Sequence, residues 1–259
     1  VNELDIYVPH LNVAVEANGV FYHSERFRAP DYHASKAAAC AALGIQLIQV
    51  WQDDWAERRP VVEKLLARKM GVSDERRVSA RKTIPERVDA KEARAFLEEN
   101  HIQGASSATY YLGLRDESGI LVAAMALKRT GVAGVLRLER YATNSILPGG
   151  HSKLVSFAER EVEGWDHLIT FADNEVSDGS LYEKTGWARD GEVRPDYRYL
   201  VGSKRVHKFN YRLARFRSDP ALEYREGLTE RELAILNGLV RVWDSGKIRF
   251  RYNRRRSQG

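Results

Sequence analysis

Two carboxylates and a histidine near the start of this chain are spaced for chemistry. Asp5 lies between Leu4 and Ile6, Glu16 closes the apolar alternation of Val13 and Val15, and His23 follows a glycine in Gly19-Val20-Phe21-Tyr22-His23. Alternate residues of a strand share a face, so a hairpin over residues 4–19 sets Asp5 beside Glu16, within reach of one divalent cation. Hard cations such as Mg²⁺ favour such oxygens and keep waters for reaction. A polarised phosphate, a metal-bound water and a proton shuttle at His23 together suit phosphodiester hydrolysis. Carboxylates held in partly buried positions need partners, which sets this pair apart from ordinary surface charge.

Several elements must position these groups. Residues 31–43 read as a helix ending at Gly44, a residue suited to a left-handed cap, and the apolar run 45–51 reads as a buried strand. The first unit is therefore strand, strand, helix, strand. A second helix opens at Gln52-Asp53-Asp54-Trp55 and runs to Lys69, and Asp53 and Asp54 are read as helix-start residues rather than further ligands.

Asp5, Glu16-Ala17-Asn18-Gly19, Phe21-Tyr22-His23 and the strand ending at Trp51 resemble the PD-(D/E)XK nuclease superfamily, and within it the very short patch repair and phage EDxHD homing endonucleases. The resemblance implies a Mg²⁺-dependent DNA endonuclease of bacterial or phage-infected cytoplasm. Asp5 would be the central metal ligand, Glu16 would occupy or neighbour the second ligand position, the Ala17 carbonyl would assist, and His23 would act as general acid or base. Asn18 stands where the family carries lysine, and Lys36 on the following helix is the substitute. The family core places a helix and a strand before the Asp strand, whereas three residues precede Leu4. The resemblance thus implies a further segment or a partner chain completing the sheet, or an inactive nuclease half.

The charged stretch Ser73-Asp74-Glu75-Arg76-Arg77-Val78-Ser79-Ala80-Arg81-Lys82 suggests a linker over residues 73–87, after a nuclease unit over 1–72. Beyond it, Asp89 and Glu92 form a capping-box pattern before a helix with an apolar face of Ala93, Phe96 and Leu97. Strands follow over 109–115 and 120–128 around the turn Asp116-Glu117-Ser118-Gly119, and a third over 135–141. Next come Pro148-Gly149-Gly150-His151, a helix over 154–162, a strand over 167–172 and the segment Leu181-Tyr182-Glu183-Lys184-Thr185-Gly186-Trp187.

Two glycines ahead of a helix can present backbone N–H groups to a phosphate. This order resembles the GNAT acyltransferase fold, including its DNA-modifying Mom-like branch, over residues 88–200. The resemblance implies that Gly149 and Gly150 cradle the pyrophosphate of coenzyme A. The usual Arg/Gln-X-X-Gly-X-Gly/Ala pattern is replaced by Ser145-Ile146-Leu147-Pro148-Gly149-Gly150, so Mg²⁺ rather than coenzyme A is the expected cofactor. His101, Asp173 and Tyr182 are polar residues of interest in this module.

Charge concentrates in a C-terminal extension over 201–259. Lys204, Arg205, Lys208, Arg212, Arg215 and Arg217 are interleaved with Phe209, Tyr211 and Phe216. Lys247, Arg249, Arg251, Arg254, Arg255 and Arg256 flank Phe250 and Tyr252. Cations neutralise phosphates and aromatic rings stack on bases, so these residues are assigned to DNA binding. A net charge of +5 is compatible with that partner. The composition, 43% hydrophobic and 30% charged, is that of a globular chain. There is no apolar run near the ~18 residues a membrane span requires, and a single cysteine, Cys40, suits a reducing compartment. The expected class is α/β (α+β), a partial β-β-α-β nuclease core joined to a mixed-sheet GNAT-like domain. The alternatives are a GNAT-type transferase that uses the first unit for docking, and a DNA-binding protein with an inactive nuclease half.

Overall fold

Period-two and period-3.6 apolar patterns lay out most of the elements locally. The computed structural model describes residues 3–255. In chain order it contains β1 (Ile6–Val8), β2 (Val13–Asn18), α1 (Tyr32–Ala42), β3 (Gln46–Trp51), α2 (Gln52–Lys69), β4 (Ile84–Arg87), α3 (Ala90–Asn100), β5 (Tyr110–Arg115), β6 (Leu121–Arg129), β7 (Gly134–Thr143) and α4 (Gly150–Glu161). There follow β8 (Trp165–Asp173), α5 (Ser180–Lys184), β9 (Ala188–Val193), β10 (Tyr197–Val201), β11 (Lys204–His207), α6 (Leu213–Ser218), α7 (Glu230–Leu236), β12 (Val240–Trp243) and β13 (Lys247–Asn253). The fold is mixed α/β with mixed sheets.

The chain forms two compact units, each assembled from separated segments. The first comprises Val1–Arg59, Asp173–Asp178 and Glu192–Lys247, and the second Pro60–Ala172, Gly179–Gly191 and Ile248–Gly259. The division at Arg59 falls within α2, where Arg58 leaves helical geometry (φ −129°, ψ 27°) just before Pro60. Proline lacks the N–H that would continue the ladder and disfavours helical backbone in the residue before it. The segment 73–87 is not a linker between units. Val78 and Ala80 are buried in the core of the second unit, the Val78 amide donates to the Ile146 carbonyl (2.9 Å), and Arg76 and Glu75 pair with Asp116 and Arg68. Several of its charges have partners elsewhere in the second unit, which composition alone does not reveal.

In the first unit β2 pairs antiparallel with β1 and parallel with β3, with Ile6 opposite Val15 and Val15 opposite Ile48. α1 returns the chain between β2 and β3 and buries Cys40 against Ala14 and Leu47. Gly44 after α1 has φ +71°, the left-handed turn that favours glycine. A second sheet, ordered β11-β10-β12, packs Tyr199 against Phe216 of α6 and Leu233 and Ala234 of α7. α7 opens with a reciprocal Thr229–Glu232 capping box.

In the second unit the sheet order is β4-β5-β6-β7-β8-β13-β9. β4 to β7 are consecutive antiparallel neighbours, and β7 and β8 are parallel across the α4 crossover. β6 is buried along Leu121–Leu127 because both faces are covered. Ala124 and Ala126 meet Phe96 and Leu97 of α3, while Ala123, Met125 and Leu127 share a cluster with Leu154, Val155 and Ala158 of α4. Asp89 caps α3 by accepting from the Lys91 and Glu92 amides.

The C-terminal region is not an extension. β13 lies between β8 and β9, burying Ile248, Phe250 and Tyr252 while Arg249 and Arg251 face outward. Phe250 and Tyr252, assigned to base stacking, are core residues of a strand.

Candidate functional site

In the second unit, two parallel strands part beside a glycine-opened helix. β7 and β8 pair from Gly134 opposite Trp165 to Arg137 opposite Ile169, although both strands continue for several residues. At the parting the Thr170 hydroxyl donates to the Leu138 carbonyl (3.1 Å). α4 follows β7 through Gly149, whose φ of +81° is a conformation that glycine adopts at little cost. At Gly150 a Cβ would lie 2.7 Å from Leu147 and 2.9 Å from the Tyr141 hydroxyl, so no larger side chain fits. Lys153, in the first turn, is turned toward the segment before β4 and donates to the Ala80 and Thr83 carbonyls.

Behind this turn His151 sits in an aromatic box. Its ring lies 5.1 Å from Tyr141, 5.6 Å from Tyr182 and 5.7 Å from Trp187, centroid to centroid. His151 is 2% exposed, and burial pushes its pKa down to about 4, so the imidazole is neutral. Burial raises the Tyr141 and Tyr182 phenols above their ordinary range. Among the described residues neither ring nitrogen of His151 has a hydrogen-bond partner, and neither does Nε1 of Trp187. The sequence reading singled out Gly149, Gly150 and Tyr182 but missed His151, Tyr141 and Trp187. His151 directly follows the two glycines, and that adjacency was its only signal. His101 accepts from the Gln103 amide through Nδ1 (3.1 Å), a local turn contact.

In the first unit, Asp5, Glu16, Ala17 and Lys36 do come together. Lys36 Nζ donates to Glu16 Oε2 (2.5 Å), the Asp5 amide to Glu16 Oε1 (3.1 Å), and the Ala17 amide to Asp5 Oδ2 (2.8 Å). Both Glu16 oxygens therefore have protein donors. Ala17 contributes its amide, not a ligating carbonyl. His23 pairs with His33 instead, Nδ1 to Nε2 at 3.3 Å with stacked rings. Burial is the main cause lowering the pKa of His23, and it brings His33 down to about 3. Among the described residues no group of three or more His, Cys, Asp or Glu could hold a metal ion.

The basic residues assigned to DNA are largely partnered. Arg205 is 4% exposed at its side chain and bonds Asp53 (3.0 Å) and Asp54 (2.6 Å). Its guanidinium also covers the Trp51 ring at 4.2 Å. Asp53 and Asp54 are thus anchors for Arg205 rather than simple helix-start charges. Lys204 pairs with Glu57, Lys208 with Asp196, Arg212 with Glu230 and Arg215 with Asp219, while Arg217 donates to the Tyr224 hydroxyl. Arg254 donates to the Glu159 carbonyl, and the Arg255 amide to the Glu159 carboxylate. Arg256 lies outside the described residues.

No protein-family model matches the chain, and no curated protein matches it. Solved structures do. A GNAT-family acetyltransferase from Bacillus anthracis is 10% identical, with 68% of this chain and 96% of that chain covered and a TM-score of 0.39. A GNAT-family N-acetyltransferase from Escherichia coli, solved in complex with CoA, is 14% identical over 41% of this chain and 69% of that one, with a TM-score of 0.33. The ribosomal-protein-S18-alanine N-acetyltransferase of Escherichia coli is 12% identical over 68% and 96%, with a TM-score of 0.37.

The expected phage-type, Mg²⁺-dependent DNA endonuclease is accordingly corrected. The Glu16 carboxylate expected to ligate Mg²⁺ is engaged by Lys36 and a backbone amide, and the His23 expected to shuttle a proton pairs with His33. The DNA partner falls with it, since Arg205 is buried and its companions are mostly paired. The expectation against coenzyme A is corrected as well. The glycine turn here borders buried donors and acceptors that have no partner among the described residues. Among the described residues no helix is long and apolar enough to cross a membrane.

Proposed function

We propose that the second unit is an acyltransferase of GNAT type, which takes a coenzyme A thioester at the N-terminus of α4 and passes its acyl group to an amine. The observation that carries this reading is the early end of β7–β8 pairing beside a helix start that admits only glycine at position 150. The sheet order and the parallel crossover through α4 support it.

The first four N–H groups of a helix lack intrahelical partners. Here Gly150 donates to Leu147 and Lys153 to Gly149, so those of His151 and Ser152 are the pair that suits a pyrophosphate, aided by the positive end of the helix dipole. Parted strands expose backbone groups to an extended ligand, and the box of Tyr141, His151, Tyr182 and Trp187 supplies apolar walls. When bound, the thioester supplies an activated acyl carbon, at which a C–N bond to the amine forms as the C–S bond breaks. Tyr182 and Tyr141, whose phenols burial keeps protonated, are the proton sources of this region for a departing thiolate.

Ser152 is exposed on the first turn and gives a test that spares the fold. Acetyl-coenzyme A at about a hundred times its Kd should raise the melting temperature by about 5–10 °C. Ser152→Glu should leave the ligand-free melting temperature unchanged or slightly higher, because an acid suits a helix start, yet abolish the shift by repelling phosphate. No shift of the unaltered protein at millimolar acetyl-coenzyme A overturns the proposal.

A further inference from the structure

An open cleft of about 230 Å³ lies on the second unit between residues 76–82 and the turn that joins β5 to β6. It holds many times the space that one water needs, enough for a phosphate and the sugar that carries it. Hydrogen bonds tie its wall to the loop that leads into α4. Ile146 donates its amide to the Arg76 carbonyl (3.0 Å) and accepts from the Val78 amide (2.9 Å). Ala80, next to the cleft residue Ser79, lies 3.5 Å from where a Cβ at Gly149 would be, and Lys153 of α4 donates to its carbonyl. The cleft therefore neighbours the helix start assigned above to a pyrophosphate.

Its charges do not cancel. Arg76, Arg77 and Lys82 line it together with Asp116 and Glu117. Asp116 is buried, and its carboxylate already accepts from Arg76 (2.6 Å) and from the Ser118 and Ile120 amides (3.0 Å each). Glu117 is 71% exposed at its side chain and 3.9 Å from Lys82, a loose pair that water and salt screen. Arg77 is exposed and has no acidic partner among the described residues. The Ser79 hydroxyl makes no capping bond to the turn it precedes. A guanidinium, an ammonium and a hydroxyl thus border one space without an acceptor for them. A phosphomonoester supplies three acceptor oxygens and close to two negative charges, and a guanidinium matches its oxygens two at a time. A carboxylate brings one charge and two oxygens, fewer than these donors can engage.

We propose that this cleft is a phosphomonoester site, filled by the ribose 3′-phosphate of the coenzyme A whose pyrophosphate lies at α4. Coenzyme A carries those two groups on opposite sides of one ribose, so two neighbouring phosphate sites suit it. The carrier of the phosphate rests on the acyltransferase reading above, whereas the chemistry of the cleft does not.

Calorimetric titration of the full chain with coenzyme A and with dephospho-coenzyme A, which lacks only the 3′-phosphate, separates the cleft from the helix start. The unaltered protein should bind coenzyme A about ten- to a hundred-fold more tightly, the range for charge-assisted hydrogen bonds. Arg77→Gln should remove most of that preference by weakening coenzyme A alone. Arg81→Gln, the same loss of charge on an exposed residue outside the cleft lining, should preserve it. Inorganic phosphate, compared with chloride at equal ionic strength, should raise the melting temperature of the unaltered protein more than that of Arg77→Gln. Equal affinities for the two forms with no Arg77-dependent effect of phosphate would overturn the site and leave the acyltransferase reading standing. Equal losses for both forms in Arg77→Gln would overturn it as well. Equal affinities with an Arg77-dependent effect would keep a phosphomonoester site but give it to a separate phosphorylated molecule, which overturns the 3′-phosphate assignment. If neither form of coenzyme A binds, the acyltransferase reading falls, and the phosphate comparison alone decides the cleft.

Discussion

At the scale of single residues, the histidines show how burial sets charge. His151 titrates at about 4 and His33 at about 3, both below the ordinary 6.5, because each ring is withdrawn from water. The folded state therefore refuses protons that the unfolded state accepts, and stability falls as pH drops from about 6.5 toward 4. The loss is about 1.4 kcal/mol per pH unit for each group. Urea denaturation between pH 6.5 and 4.5 should show this slope, and His151→Phe should reduce it by about one proton. An unaltered slope in that variant would mean that His151 is not held neutral. Asp5, Glu16 and Lys36 were legible as a cluster, because a hairpin and the helix after it bring them together. What they do there depends on which atoms bond, and spacing says nothing of that.

At the scale of elements, β13 is the instructive case. Its residues Lys247, Arg249 and Arg251 read as part of a basic tail, yet Ile248, Phe250 and Tyr252 alternate with them at the period of a strand. Phe250 is fully buried, and its ring lies 2.5 Å from where a Cβ at Gly179 would be. Phe250→Ala should thus cost about 3–5 kcal/mol, for lost transfer energy plus a cavity. Arg251→Ala and Arg249→Ala should each stay within about 1 kcal/mol, since both side chains are exposed and the second breaks only exposed contacts with Asp190, an ion pair and two hydrogen bonds to its carbonyl. Denaturant midpoints decide the matter. Comparable losses at all three positions would contradict the alternation.

At the scale of the whole molecule, the first unit depends on segments far apart in sequence. Arg205 is satisfied by Asp53 and Asp54, and Val242 packs with Val20 and Trp51. A chain trimmed to residues 60–259 should therefore be cut rapidly by protease within 192–247, whose buried guanidinium and apolar residues lose their partners. The segments 60–172, 179–191 and 248–255, which share the core of the second unit, should persist together. Equal resistance across both regions would show that residues 192–247 hold together without the first 59. The sequence by itself determined what is local. Apolar periods of two and near 3.6 laid out strands and helices, Asp89 marked a helix start, Gly44 marked a left-handed cap and Gly149-Gly150 a turn ahead of a helix, because sterics and capping act over a few residues. Only the tertiary structure decided what is distant. It placed β13 inside a sheet begun at Ile84, gave Arg205 to two aspartates rather than to phosphates, and left the buried ring nitrogens of His151 and Trp187 without partners among the described residues. Those outcomes depend on which remote surfaces must bury their apolar groups and neutralise their charges together, and no local pattern encodes that choice.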